Sequence, residues 1–331
     1  MAGRRDWTRE TLADGVRDGD RRALARAITL VENGDAMAYD LVAELYPTTG
    51  NAYAVGVTGP PGVGKSSLVS ALVGHIRPHV AEVGVVSVDP SSPFSQGALL
   101  GDRIRLADHF LDPGVFIRSM GTRGHLGGLA EATLQALLVL DAAGKEIVFL
   151  ETVGAGQSEV EVLGIADTVV LVLMPGSGDS VQALKAGIME IPDVVAVNKM
   201  DHPAAKTMLS EVRSILALDR EREWKPPIVL TEAVRGENVP ELWAQVEAHR
   251  AYLEESGQLE ERRRRKLAGE VFAVASARAK RHLEHAVADD PELRRLLDEV
   301  ERRELDPLSA VREILEKVFR IGADGESTGP R

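Results

Sequence analysis

The sequence predicts an α/β fold: three layers on a mainly parallel sheet, with helical extensions at both ends of the chain. Three observations carry that prediction. Short Val/Ile/Leu runs between about residues 52 and 231 lack polar alternation, which is how strands buried on both faces read. Helical patterns separate these runs, as parallel crossovers require. Aromatic residues are only 4% of the chain while glycines number 31, which suits tight ligand-binding loops better than a β-sandwich. A length of 331 residues allows one large domain or two modest ones.

Residues 1–50 read as an N-terminal helical extension. Asp20 is placed to cap a helix through Glu32, with Leu24, Ile28 and Val31 at helical spacing. A second helical pattern runs from Met37 to Leu45, and the segment Pro47-Thr-Thr-Gly50 ends it. The central domain spans 51–256. Its expected strands are Ala52–Thr58, Val83–Asp89, Val115–Arg118, Glu146–Glu151, Thr168–Met174, Val194–Asn198 and Pro227–Thr231. Its expected crossover helices are Lys65–Ile76, Leu129–Ala142, Ala204–Ala217 and Val239–Glu254. From about residue 257 the strand signals stop. A helical arm over 257–323 is expected, with later helices opening at Asp290-Pro291 and Asp306-Pro307. A disordered tail is expected over 324–331.

Composition excludes several classes of function. Apolar residues are 44%, enough for a core, and the net charge of −12 argues against a generic nucleic-acid binder. No cysteine is present, so disulfides, thiolate metal sites and a Cys nucleophile are excluded. The opening MAGRRDWTRE is too polar for a secretory signal. The longest apolar run, near Val169–Met174, is far short of the ~20 residues of a membrane helix. A soluble cytoplasmic protein that binds neither membrane nor nucleic acid is expected. The basic run Arg262–Arg265 does not change this, because acidic residues flank it and no aromatics interleave. It reads as a solvated helix face or a dimer rim.

The strongest motif is Gly59-Pro-Pro-Gly-Val-Gly-Lys-Ser66, which matches G-x-x-x-x-G-K-[ST] at every fixed position. An apolar strand precedes it and a helix follows. Glycines let the backbone N–H groups turn toward phosphate oxygens, and the helix N-terminus adds its dipole. Lys65 offers a cation to the β- and γ-phosphates, and Ser66 offers a hydroxyl ligand to Mg²⁺. The expected phosphate-contacting set is Gly59, Gly62, Val63, Gly64, Lys65, Ser66 and Ser67.

A second motif, Asn198-Lys-Met-Asp201, follows a later strand. An N-K-x-D sequence there selects guanine, because its carboxylate accepts from both the ring N–H and the exocyclic amine. Adenine would leave that carboxylate unpaired. Asn198, Lys199 and Asp201 are the expected base-binding residues, with Thr231-Glu232-Ala233 as a loop whose N–H meets the guanine carbonyl. Asp89 and Glu151 end strands, where open α/β sheets bind ligands, and either is placed to hold Mg²⁺. In Glu151-Thr-Val-Gly-Ala-Gly-Gln157, Gly154 is placed to turn an N–H toward the γ-phosphate and Gln157 to position a water.

With these residues assembled, the chain resembles the MeaB/ArgK family of P-loop GTPases over nearly its whole length. The resemblance includes Arg22-Ala-Leu-Ala-Arg-Ala-Ile-Thr-Leu-Val-Glu32, Val88-Asp-Pro-Ser-Ser92 and Leu100-Gly-Asp-Arg-Ile-Arg105. It also includes Thr122-Arg-Gly-His-Leu-Gly-Gly128, the run from Glu151 to Glu159, and Gly178-Asp-Ser-Val-Gln-Ala-Leu-Lys-Ala-Gly-Ile188. The resemblance implies a P-loop NTPase fold and a Mg²⁺-dependent GTPase that turns GTP into GDP and phosphate. It implies a chaperone of an adenosylcobalamin-dependent acyl-CoA mutase, gating cofactor transfer and protecting the mutase. It places Asp102 with Ser66, Asp89 and Glu151 at the metal, and Arg105 beside Lys65, Glu151 and Gln157 in hydrolysis. Asp179, Gln182 and Lys185 match a third switch that couples nucleotide state to the mutase. The helical arm is the expected homodimer element. Two rival readings are a nucleotide-gated scaffold without catalysis and an ATP-driven kinase or transport accessory; Asn198 and Asp201 argue against the second.

Overall fold

The computed structural model describes residues 7–89, 106–121, 128–152, 164–177, 191–219 and 221–319. At Asp89, at residues 128–130 and at a few positions of the C-terminal helices it describes the backbone alone. Seven strands form one sheet: β1 (Tyr53–Thr58), β2 (Val83–Asp89), β3 (Val115–Gly121), β4 (Ile147–Thr152), β5 (Thr168–Leu173), β6 (Val194–Asn198) and β7 (Ile228–Thr231). Their order is β3-β2-β4-β1-β5-β6-β7, and every pair is parallel. The C-terminal ends of all seven therefore share one edge. β3 runs three residues beyond the expected Arg118 because buried Ser119 and Met120 continue the ladder opposite Ser87 and Val88.

Alternation along each strand sorts the core into two layers. Ala54, Val86, Val88, Val148, Leu150 and Val169 face the N-terminal helices Arg9–Arg17, Arg21–Glu32 and Ala36–Leu45 and the helix Gly128–Ala142. Leu171, Leu173, Val195 and Val197 continue that face under the helix Ala205–Leu216. The intervening residues Val55, Val57, Val83, Val85, Phe149, Val170, Val172, Val194 and Ala196 face the helices Lys65–Ile76 and Val239–Glu255. Trp243 packs on Phe149 from that second layer, with ring centroids 6.2 Å apart.

Helix caps follow from local chemistry. Asp20 accepts from the N–H groups of Arg22 and Ala23, and Asp35 from that of Met37. The first helix had no separate sequence expectation, yet Thr8 and Thr11 close a reciprocal capping box on it.

The basic run of the long helix Gln258–Asp289 splits in two, correcting the expectation of a solvated face. Arg264 and Arg265 are exposed, but Arg262 and Arg263 turn inward. Arg262 donates to both oxygens of Asp193 at 3.1 Å. Arg263 clamps Asp167 at 2.9 and 2.7 Å. His249 lies in the same polar cluster, 1% exposed, with Nδ1 2.7 Å from Thr168 Oγ1. Burial pushes its imidazole down to about 4, against the opposing pull of Asp193. Trp224 packs against His249 with the two rings tilted and donates Nε1–H to the Asp193 carbonyl at 2.7 Å.

The chain divides into two compact units, Met1–Glu270 and Val271–Arg331. In the second, Asp290 caps the helix Pro291–Glu301. Asp306 accepts the N–H groups of Leu308 and Ser309 at the head of the helix Pro307–Phe319. Leu293, Leu296 and Ala310 are buried, and Lys317 pairs with Glu292 at 2.6 Å.

Candidate nucleotide site

β1 ends at Thr58, and the loop Gly59–Gly64 carries the chain into the helix Lys65–Ile76. Two glycines in this loop have no substitute. At Gly59, with φ +142°, a Cβ would lie 2.0 Å from the Val172 carbonyl oxygen. At Gly64, with φ +96°, it would lie 2.5 Å from Asn198 Nδ2. No side chain caps the helix that Gly64 opens. An anion placed at that end would meet the first-turn N–H groups and the positive end of the helix dipole. Lys65 is buried and folds back over the loop, donating from Nζ to the carbonyls of Gly59 (2.6 Å) and Pro60 (3.0 Å).

The strand faces dictate what meets Ser66. Glu151 shares the parity of Phe149 on β4, and Ser87 that of Val85 on β2, so both point toward the phosphate-loop helix. Ser66 Oγ–H donates to Glu151 Oε1 at 2.5 Å, and Ser87 Oγ–H to Oε2 at 3.3 Å. Glu151 is 1% exposed. An adjacent hydroxyl and carboxylate form an all-oxygen, hard donor pair, the type that suits Mg²⁺ rather than a soft metal. No group of three or more His, Asp or Glu gathers among the described residues. Mg²⁺ needs no such cage, because it usually takes one or two carboxylates and completes its shell with water and phosphate. Ser87 was not singled out from sequence; its signal is a hydroxyl interrupting the Val run of β2.

Asn198 ends β6 on the same face and joins three segments. Its Nδ2–H donates to the Val63 carbonyl at 2.8 Å. Its Oδ1 accepts from the Ala233 N–H at 3.1 Å and the Thr231 hydroxyl at 3.3 Å. Lys199 adopts φ +59° and reaches the Gly62 carbonyl at 3.2 Å. The Glu232 N–H is taken by the Glu237 carbonyl at 3.1 Å. Asp201 is exposed beside buried Glu232. Burial and the neighbouring Asp201 hold the Glu232 carboxyl above its ordinary range, while the hydrogen bond from Glu232 holds Asp201 below its own. Of the pair, Asp201 gives up its proton first, and once ionised it is an acceptor-only carboxylate at the rim.

The other candidates fall elsewhere. Asp89 ends β2 opposite Gly121, with only its backbone described. Asp102, Arg105, Gly154, Gln157, Asp179, Gln182 and Lys185 lie outside the described residues.

The family profile described as methylmalonyl Co-A mutase-associated GTPase MeaB matches residues 24–288. The chain belongs to the MeaB family. MeaB relatives span its length. A Pyrococcus abyssi protein named as a GTPase is 47% identical over 95% of this chain and 98% of its own. The GTPase ArgK of Escherichia coli is 32% identical over 92% of this chain and 96% of its own. The mitochondrial methylmalonic aciduria type A homolog of Mus musculus is 33% identical, covering 77% of this chain and 66% of its own. A crystal structure titled LAO/AO transport system kinase superposes with a TM-score of 0.72 at 27% identity, covering 96% of this chain and all of that one. Like its MeaB relatives, the protein is a P-loop GTPase on a three-layer α/β fold.

Proposed function

We propose that this GTPase regulates an adenosylcobalamin-dependent acyl-CoA mutase, methylmalonyl-CoA mutase or a relative, gating cofactor loading and protecting the loaded mutase. The observation that carries the reading is the match of residues 24–288 to a family described by its association with that mutase. In this reading the loop Gly59–Ser67 holds the phosphates of GTP, and Lys65 exchanges its two loop carbonyls for phosphate oxygens. Ser66 and Glu151 hold Mg²⁺ together with Asp89 and Asp102, and the bound ion neutralises phosphate charge. Asp201 accepts the two guanine donors while Asn198 and Lys199 brace the loops around the base. Thr231, Glu232 and Ala233 close that pocket. Arg105 offsets charge on the transferring phosphoryl group, and Gly154 and Gln157 orient the attacking water. Asp179, Gln182 and Lys185 pass nucleotide state to the mutase, and residues 257–323 form a homodimer arm.

The deciding experiment is GTP and ATP hydrolysis by the purified protein, with and without purified methylmalonyl-CoA mutase. GTP-selective turnover raised by the mutase supports the reading. Turnover indifferent to the mutase removes it as the client, and ATP-selective turnover removes the base-pocket assignment.

A further inference from the structure

We propose that a cavity at the N-terminal edge of the sheet binds a small amphipathic carboxylate, with the Lys266 ammonium as partner of its charged head. The cavity has a volume of about 370 Å³, within the roughly 300–1,000 Å³ typical of small-molecule sites. Pro47, Leu134, Leu137, Leu138 and Ile165 give it an apolar wall, and Ala52 and Ala54 place it at the start of β1. The phosphate loop begins at the other end of that strand, roughly 20 Å away at ~3.3 Å per residue. The site is therefore separate from the nucleotide, and the inference does not rest on the proposed mutase partner.

The polar groups around the cavity select an anion. Asp141 is saturated by the N–H groups of Gly50 (2.6 Å), Asn51 (3.2 Å) and Ala52 (3.0 Å). Asp167 accepts from the Ala54 N–H at 2.9 Å and from Arg263 on both oxygens. Arg263 gives further N–H groups to the carbonyls of Gly50 and Ala52, each at 2.8 Å. Lys266 Nζ alone among these charged groups is buried with no hydrogen-bond partner among the described residues. Burial and the neighbouring Arg262 and Arg263, opposed by the pull of Asp167 and Asp193, push its ammonium down to about 8, so it is still a cation at neutral pH. A buried cation without an acceptor is costly, and a ligand carboxylate supplies the acceptor once the Lys266 side chain, which lines the cavity, turns its buried Nζ into it. One ammonium beside an apolar wall, with both lining carboxylates already satisfied, fits a single small anionic head on a hydrocarbon body. A polyphosphate would need many more donors.

The probe is octanoate, titrated calorimetrically into the full-length protein, with 1-octanol as the uncharged control. We expect saturable one-to-one binding of octanoate and at least about tenfold weaker binding of octanol, the scale of a charge-assisted hydrogen bond. Lys266→Met, which keeps the stem and removes the charge, should weaken octanoate at least tenfold while GTP turnover stays at the wild-type rate. Lys266→Arg should retain binding. Absence of saturable octanoate binding overturns the proposal, as does equal affinity for octanoate in the wild type and Lys266→Met. The octanol comparison needs no variant, so it decides the matter if Lys266→Met fails to fold; equal affinities for octanol and octanoate also overturn it.

Discussion

Replacing Asn198 with Ala tests whether one amide holds the two halves of the nucleotide site together. The side chain is 2% exposed and makes three hydrogen bonds, to the Val63 carbonyl, the Ala233 N–H and the Thr231 hydroxyl. Each is worth about 0.5–1.5 kcal/mol net, and the Thr231 contact is the longest. The sum is about 2–3 kcal/mol, before any further cost of leaving the Val63 carbonyl and Ala233 N–H buried without partners. For a domain of this size that corresponds to a melting temperature lower by roughly 5–10 °C. Nucleotide affinity should fall as well, because the loop at Val63 and the loop at Ala233 lose their common anchor. The assay is thermal unfolding paired with titration of a fluorescent GDP analogue. Asn198→Asp sharpens it: the carboxylate still accepts from Ala233 and Thr231 but meets the Val63 carbonyl with an acceptor instead of a donor. If Asn198→Ala melts within about 1 °C of the wild type and binds nucleotide equally well, the bracing role is refuted.

Four further outcomes are expected. Gly64→Ala combines a left-handed backbone with a Cβ 2.5 Å from Asn198 Nδ2, so GTP binding should weaken at least about tenfold in equilibrium titration. Asp201→Asn should move preference from GTP to XTP in a competition assay, because the amide presents a donor where the carboxylate only accepts; unchanged GTP affinity would remove the base assignment. Glu151→Gln keeps the shape beside Ser66 but loses the charge, so the Mg²⁺ concentration giving half-maximal GTP turnover should rise several-fold with little change in melting temperature. His249 is neutral in the fold and titrates near 4, against about 6.5 unfolded. The unfolded chain therefore takes up the proton first. The contribution is fully present above pH ~6.5 and is lost as pH falls toward 4, amounting to about 3 kcal/mol at most. Denaturant unfolding of His249→Asn against the wild type across that window should show a shallower pH slope in the variant.

The sheet was legible because a strand covered on both faces must be apolar at successive positions, and the seven Val/Ile/Leu runs are the seven strands observed. The phosphate loop was legible because its glycines are forced, Gly59 by Val172 and Gly64 by Asn198. Roles that depend on long-range pairing were not legible. Asn198 reads as a base-pocket residue in sequence, and nothing local shows that its amide also ties Val63 to Ala233, far away in the chain. The run Arg262–Arg265 reads as solvated because its neighbours are acidic. Its inward half is decided by Asp167 and Asp193, which no local pattern connects to it. Ser87 escaped notice because a lone hydroxyl in a strand takes its meaning only from the register that sets it beside Glu151.

The clamp of Arg263 on the start of β1 has a mechanical consequence. One guanidinium grips the carbonyls of Gly50 and Ala52 and the carboxylate of Asp167, which itself holds Ala54. From there six residues of β1 lead straight to Gly59. An extended strand locked between β4 and β5 has almost no slack along its length. Through that strand the root of the helix Gln258–Asp289 and the phosphate loop are joined by six residues of backbone hydrogen-bonded on both sides.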